Sequence, residues 1–201
     1  MDETTAAPTV FHVRAVGEAD RAWVLQTVLG WGADFIISRG RKVFPQELPA
    51  FCAVTPQGDR LGLATYDIAG DACELVTLDA QLQWSGIGTA LLAAVAGAAA
   101  RAGCRRLWLV TTNDNLDALR FYQRRGMHLV AVHHGLRETA RRLKPQIPLT
   151  GCFGIPIVDE IELEMHLGVT ESRPQPETPP ETQPEAPPRT PPKTAREEAT
   201  P

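Results

Sequence analysis

Gln83-Trp84-Ser85-Gly86-Ile87-Gly88-Thr89 decides the fold, because of what lies on either side of it. Before it runs Glu74-Leu75-Val76-Thr77-Leu78, short, apolar and β-branched, which reads as a strand. After it comes an Ala/Leu-rich run to Ala102, which reads as a helix closed by Gly103. The order is strand, glycine turn, helix. Two residues without a β-carbon let the backbone bend tightly and approach a ligand closely. The first turn of the helix adds unpaired N–H groups and the positive end of the macrodipole, where an anion fits.

Spacing alone leaves a phosphate site and a plain tight turn both open. A P-loop requires Gly-Lys-Ser/Thr, and Gly88 is followed by Thr89-Ala90. A dinucleotide fingerprint requires a third glycine where Leu91 stands, and an acid about twenty residues on, where the chain has Arg105-Arg106-Leu107. The remaining pattern is Gln/Arg-x-x-Gly-x-Gly/Ala, filled by Gln83, Gly86 and Gly88.

A second block, Asn115-Leu116-Asp117-Ala118-Leu119-Arg120-Phe121-Tyr122-Gln123-Arg124-Arg125-Gly126, follows in order. It holds Asn-x-x-Ala, a tyrosine four residues after the alanine, and a glycine four after the tyrosine. With both blocks in place, residues 10–168 resemble the GNAT superfamily of N-acetyltransferases. The resemblance implies an α/β fold, a mixed and mostly antiparallel sheet flanked by helices in one domain. It implies acetyl-CoA as co-substrate, no metal, and direct transfer of the acetyl group to a primary amine of a small molecule or peptide.

Site residues follow from the same resemblance. Gln83, Trp84, Ser85, Gly86, Ile87, Gly88 and Thr89 would cradle the pyrophosphate. Val76 and Leu78 would offer backbone groups to the pantetheine arm and the thioester oxygen, and Asn115 and Ala118 would contact the cofactor. Asn115 also reads as the N-cap of its helix, with Asn113 competing. Tyr122 would protonate the departing sulfur; its alternative is a core aromatic. Glu74 would be the base, directly or through water, with ordinary surface acid as its alternative and His133 and His134 as competitors. The family often has Arg or Lys in the glycine loop, and Trp84 and Ser85 take those places here. The expectation is a cradle short of cations.

The rest of the chain sets the frame. Val10–Arg14 reads as a first strand, and Glu18 begins a helix with Trp23, Val24, Thr27 and Val28 at helical spacing. Asp34–Ser38 reads as a short strand, and Arg39-Gly40-Arg41-Lys42 as a solvated basic loop, with contact to an anionic substrate or to the CoA phosphates as its alternative. Ala50–Thr55, Leu61–Ile68 and the strand ending near Leu78 form an antiparallel meander. The helix after the glycine turn, apolar nearly all round, is expected to be buried rather than amphipathic, with Arg105–Thr111 parallel to the strand before it. Met127–His133 is a strand, Leu136–Lys144 a basic amphipathic helix, and Pro145–Pro156 a long connection of the kind that carries function. Glu160–Leu167 alternates, which predicts a strand with a wet glutamate face near a sheet edge. That acidic face reads either as a draw for a cationic amine or as an ordinary wet sheet face.

Formal net charge is −4, which argues against a nucleic-acid partner. Four cysteines, Cys52, Cys73, Cys104 and Cys152, show no metal spacing. With no signal-like N-terminus and no spanning apolar run, a reducing cytoplasmic setting without membrane contact is expected. Residues 170–201 hold ten of the seventeen prolines and no aromatic, Ile or Leu, so a disordered tail is expected. Pro188–Lys193 fits a polyproline-II ligand, which would recruit a Pro-rich-binding partner. A homodimer is left open. Two other functions compete: a non-catalytic acyl-CoA-binding module with a recruiting tail, and a nucleotide-binding α/β domain.

Overall fold

Three consecutive antiparallel strands form the centre of the sheet in the computed structural model, which describes residues 9–168. They are β4 (Ala50–Val54), β5 (Arg60–Ala69) and β6 (Ala72–Ala80). β1 (His12–Ala15) pairs with β4 at one edge. On the other side β6 meets β7 (Arg106–Thr112) in parallel, and β9 (Glu160–His166) and β8 (His128–His133) complete the order β1-β4-β5-β6-β7-β9-β8. The parallel step follows from its connection, α2 (Ile87–Arg101), a crossover helix of the kind parallel strands require. The mixed α/β sheet agrees with the sequence expectation. The Pro-rich tail lies outside the described residues.

The two faces carry different layers. Cys73, Leu75, Leu107, Leu109 and Leu163 bury against α2 and against α3 (Leu116–Gln123). The alternate positions Ala50 and Leu63 face α1 (Arg21–Leu29) through Val24 and Val28. α2 departs from the expectation of all-round burial. Ile87, Leu91, Leu92, Val95 and Ala99 are buried, while Thr89, Ala93 and Ala100 are exposed. Small alanines on its outer side make the run look uniformly apolar while leaving little apolar area in water.

Close approach of α2 to the sheet depends on Gly62. A β-carbon there would stand 2.7 Å from Asp79 O, 2.9 Å from Ile87 Cγ2 and 3.1 Å from Leu91 Cδ1. Gly62→Ala is expected to destabilise the fold by about 1–3 kcal/mol, the usual cost of overpacking. Urea unfolding measures it, and an unchanged midpoint would refute the close fit.

The burial of β9 is the clearest departure from the sequence expectation. The strand lies near the sheet edge as expected, one strand in from the edge strand β8. Its glutamate face is dry: Glu160 and Glu162 are 1% and 5% exposed. Arginines from distant segments neutralise that face, as Arg137 meets Glu160 at 2.8 Å and Arg106 meets Glu162 at 2.5 Å. The expected solvated loop at residues 39–42 is also ordered. Arg39 and Gly40 turn between β2 (Ile36–Ser38) and β3 (Arg41–Val43), an antiparallel hairpin. After α4 (Leu136–Leu143), Lys144 Nζ donates to Trp31 O at 3.0 Å and Phe35 O at 3.3 Å, tying the chain before β2 to the helix end. Among the described residues no helix is long and apolar enough to cross a membrane.

Candidate active site

β6 and β7 pair only from Ala72↔Arg106 to Glu74↔Trp108 and then part. On its other side β6 shifts register against β5: Leu75 stands opposite Tyr66 and Thr77 opposite Thr65, so Val76 has no partner residue. Such a bulge turns a backbone position away from the ladder. Val76 therefore sits where β6 is released on both sides.

A cavity of about 460 Å³ opens at the C-terminal end of β6. Leu78 and Ala80 form one wall, the loop Leu82 to Thr89 a second, and α3 the third. Trp84 and Gly86 both have left-handed backbone, φ 61° and 86°. Left-handed residues at alternate positions bend the loop tightly, and turns of this kind are where anion-binding nests form. No side chain caps the N-terminus of α2, so the N–H groups of its first turn stay available. Gly88 lets α3 close on this turn, for a β-carbon there would be 3.2 Å from the Phe121 ring.

Gln83, Trp84, Gly86, Gly88, Thr89, Leu78 and Ala118 all line this cavity. Ser85, Ile87, Asn115 and Val76 do not. Ser85 Oγ donates to Leu82 O at 2.7 Å and stiffens the loop. The Ile87 side chain is fully buried in the core, so only its backbone can face a ligand. Asn115 Oδ1 accepts from Ala118 N at 3.2 Å, which makes it the cap of α3. Asn113 instead holds the chain before β9, accepting from Val158 N and Asp159 N at 3.0 Å each.

The loop is not short of cations once α3 is in place. Arg120, Arg124 and Arg125 line the cavity opposite the glycine turn. Arg125 donates from Nε to Thr89 Oγ1 at 2.8 Å and lies 3.6 Å over Phe121. Arg120 stacks 4.7 Å over Trp84. In sequence these arginines look like the wet side of an amphipathic helix, and nothing in their spacing points at the loop. A tight N–H turn facing fixed guanidinium groups fits a pyrophosphate.

Tyr122 lines the same cavity from the core side and is 8% exposed. Its hydroxyl has no hydrogen-bond partner among the described residues, and burial pushes its pKa well above the phenol range. The phenol therefore stays protonated at neutral pH. Glu74, the last residue of β6 still paired with β7, projects to the opposite face and is 4% exposed. Ser38 Oγ donates to its Oε1, and Arg41 Nη2 donates to Oε2 at 3.0 Å. Burial raises its pKa; Ser38 and Arg41 pull it back without cancelling that rise.

The competing histidines lie elsewhere. His133 is on β8, three strands from β6, roughly 14 Å at the usual strand spacing. Its Nε2 is 2.7 Å from Glu162 Oε2. His134 is largely exposed beside Asp159. Among the described residues no cluster of three or more His, Cys, Asp or Glu is placed to hold a metal ion.

With this geometry in hand, the likeness to known proteins is specific. The acetyltransferase (GNAT) family profile matches residues 31–127. The uncharacterised protein YdhI of Bacillus subtilis is 47% identical over 133 residues, spanning 65% of this chain and 82% of YdhI. A Bacillus subtilis acetyltransferase in complex with CoA superposes with a TM-score of 0.58 at 18% identity, over 79% of this chain and 99% of that one. A GNAT family acetyltransferase from Elizabethkingia anophelis with acetyl-CoA bound superposes at 0.56 and 15% identity, over 78% and 98%. At those identities the structural likeness is one of fold. The chain belongs to the GNAT acetyltransferase family.

Proposed function

We propose that the protein transfers an acetyl group from acetyl-CoA to a primary amine by direct attack. The observation that carries this is one cavity shared by the uncapped turn at Gly86–Thr89, the guanidiniums of Arg120, Arg124 and Arg125 at the end of α3 and just past it, the free edge of β6 and the protonated Tyr122. Acetyl-CoA supplies the activated thioester and a thiolate leaving group. The first-turn N–H groups and Arg125 hold its pyrophosphate. The N–H of Val76, at the bulge, serves the thioester oxygen, where charge develops in the transition state. Glu74 takes the proton from the acceptor ammonium, directly or through a water. As the new N–C bond forms and the C–S bond breaks, Tyr122 gives its proton to sulfur.

The test is amine-dependent thiol release from acetyl-CoA, with the acetylated amine identified by mass spectrometry. Binding of acetyl-CoA without turnover on a broad amine panel would instead identify a non-catalytic acyl-CoA-binding module. The pH profile tests the base. Glu74 acts only when ionised and its pKa is raised, so kcat/KM falls as pH drops through that raised value. Glu74→Gln is expected to remove that acid limb and to lower kcat by roughly 10²-fold, the low end for a general base. An acid limb retained in the variant assigns it to another group.

A further inference from the structure

The face of the sheet that carries Glu74 holds an unusual density of charge, and most of it is already matched. Glu160 pairs with Arg137, Glu162 with Arg106 and His133, and Glu164 with Arg106. These groups are largely buried, and they offer an incoming cation little. The hairpin β2–β3 differs. Arg41 spends one nitrogen on Glu74 while its side chain remains 59% exposed, and its Nε and Nη1 have no partner among the described residues. Arg39 is 44% exposed and lies 5.3 Å over the Trp108 ring; its Nε is 3.8 Å from Glu162.

The backbone around Arg39 is built to hold it there. Its φ is 47°, a left-handed value that costs a non-glycine residue energy. Its N–H donates to Glu160 Oε2 at 3.0 Å, fixing the turn onto β9. A strained turn locked onto a buried carboxylate, presenting two guanidinium groups, is more than a solvated surface. Beside them Glu74 and, opposite it on β5, the half-buried Asp67 supply a pair of acids. Anion donors and ammonium acceptors thus stand side by side at the point where β6 and β7 part.

We infer that the acceptor is an amine that also carries an anionic group, a carboxylate or a phosphate, with its ammonium toward Glu74 and Asp67 and its anion on Arg41 and Arg39. This deepens the acetyl-transfer reading of the same site and rests on it. It reverses what the acidic strand suggests in sequence, where Glu160, Glu162 and Glu164 look like a face for a purely cationic amine. Their charge is consumed internally, and the groups left exposed include the donors of Arg41. An acceptor bearing both charges replaces the Arg41–Glu74 contact with two contacts of matched sign, so neither partner is left unpaired on binding.

The experiment compares matched acceptors: phenylalanine against phenethylamine, phosphoethanolamine against ethanolamine, and spermidine as a polycation. The anionic member of at least one pair is expected to have kcat/KM about 10-fold higher, as for one charge-assisted hydrogen bond. Which pair shows the larger ratio distinguishes carboxylate from phosphate. Arg41→Gln is expected to bring that ratio near one, and Arg41→Lys, which keeps charge without the fork, to retain part of it; thermal melting checks that both variants fold. Binding of each amine to the CoA-saturated protein is read separately by calorimetry. Preference for the anionic member without turnover would remove the acetyl-transfer reading and keep the site. Preference for spermidine, equal ratios within both pairs, an unchanged ratio in Arg41→Gln, or binding of none of the amines would overturn the inference.

Discussion

Tyr122→Phe is expected to lower kcat by roughly 10²-fold or more while leaving the Kd for acetyl-CoA within about twofold, the signature of a lost general acid. The substitution is conservative in packing. The ring sits in the main core and meets Phe121 edge-on at 5.1 Å between centroids, and phenylalanine preserves both contacts. Only the hydroxyl is lost, and it makes no hydrogen bond within the described residues. If Tyr122 were a core aromatic alone, removing an unpartnered hydroxyl would leave turnover unchanged and stability the same or better. Rapid-quench measurement of the acetyl-transfer step separates the two outcomes even if product release limits kcat. The pH profile gives a second check. Burial raises the phenol pKa, so the wild type should show no alkaline loss of activity in the range where an ordinary tyrosine ionises. An alkaline limb near pH 10 that vanishes in the variant would place the hydroxyl in a wetter setting than the structure shows.

How far the sequence carries depends on whether a feature is local. Gln83–Thr89 and Asn115–Gly126 are contiguous blocks whose chemistry belongs to consecutive residues, so the turn, its helix and Tyr122 could be read directly. The meander β4–β6 was legible for the same reason: short loops force neighbouring strands to pair. What escaped depends on partners far away in the chain. Glutamates at alternate positions of β9 look wet until Arg39, Arg106 and Arg137, from three other segments, are brought onto them. The hairpin β2–β3 has strands of three residues, too short for a period to register, and its stability comes from contacts with Glu74 and Glu160. Arg120, Arg124 and Arg125 were hidden because basic residues on and just after an amphipathic helix normally point to water. Distance also bears on the base: along the chain Glu74 is the first candidate with His133 and His134 as competitors, and sheet order puts His133 three strands from β6.

Those arginines carry the other large expected effect. Arg125→Gln should raise the KM for acetyl-CoA by about 10- to 100-fold, the loss of one or two charge-assisted hydrogen bonds to phosphate. The guanidinium is already positioned: Nη1 donates to Phe121 O at 2.9 Å, Nε reaches Thr89, and the plane rests on the Phe121 ring. Little side-chain entropy is then left to lose when a phosphate arrives, so the charge acts at nearly full strength. Arg120 over Trp84 is the more exposed of the two anchors, since Arg120 and Trp84 are both exposed while Arg125 is half-buried, and Arg120→Gln should cost less. A purely structural role for Arg125 can be separated from phosphate binding by changing the donor. Acetyl-pantetheine keeps the thioester and lacks the pyrophosphate, so Arg125→Gln should leave its kinetics as in the wild type. An equal loss with both donors would mean that the substitution disturbs α3 and Tyr122, and the guanidinium would lose its place in the cradle. A rise confined to acetyl-CoA would place the cation that the glycine loop lacks just past the end of the neighbouring helix.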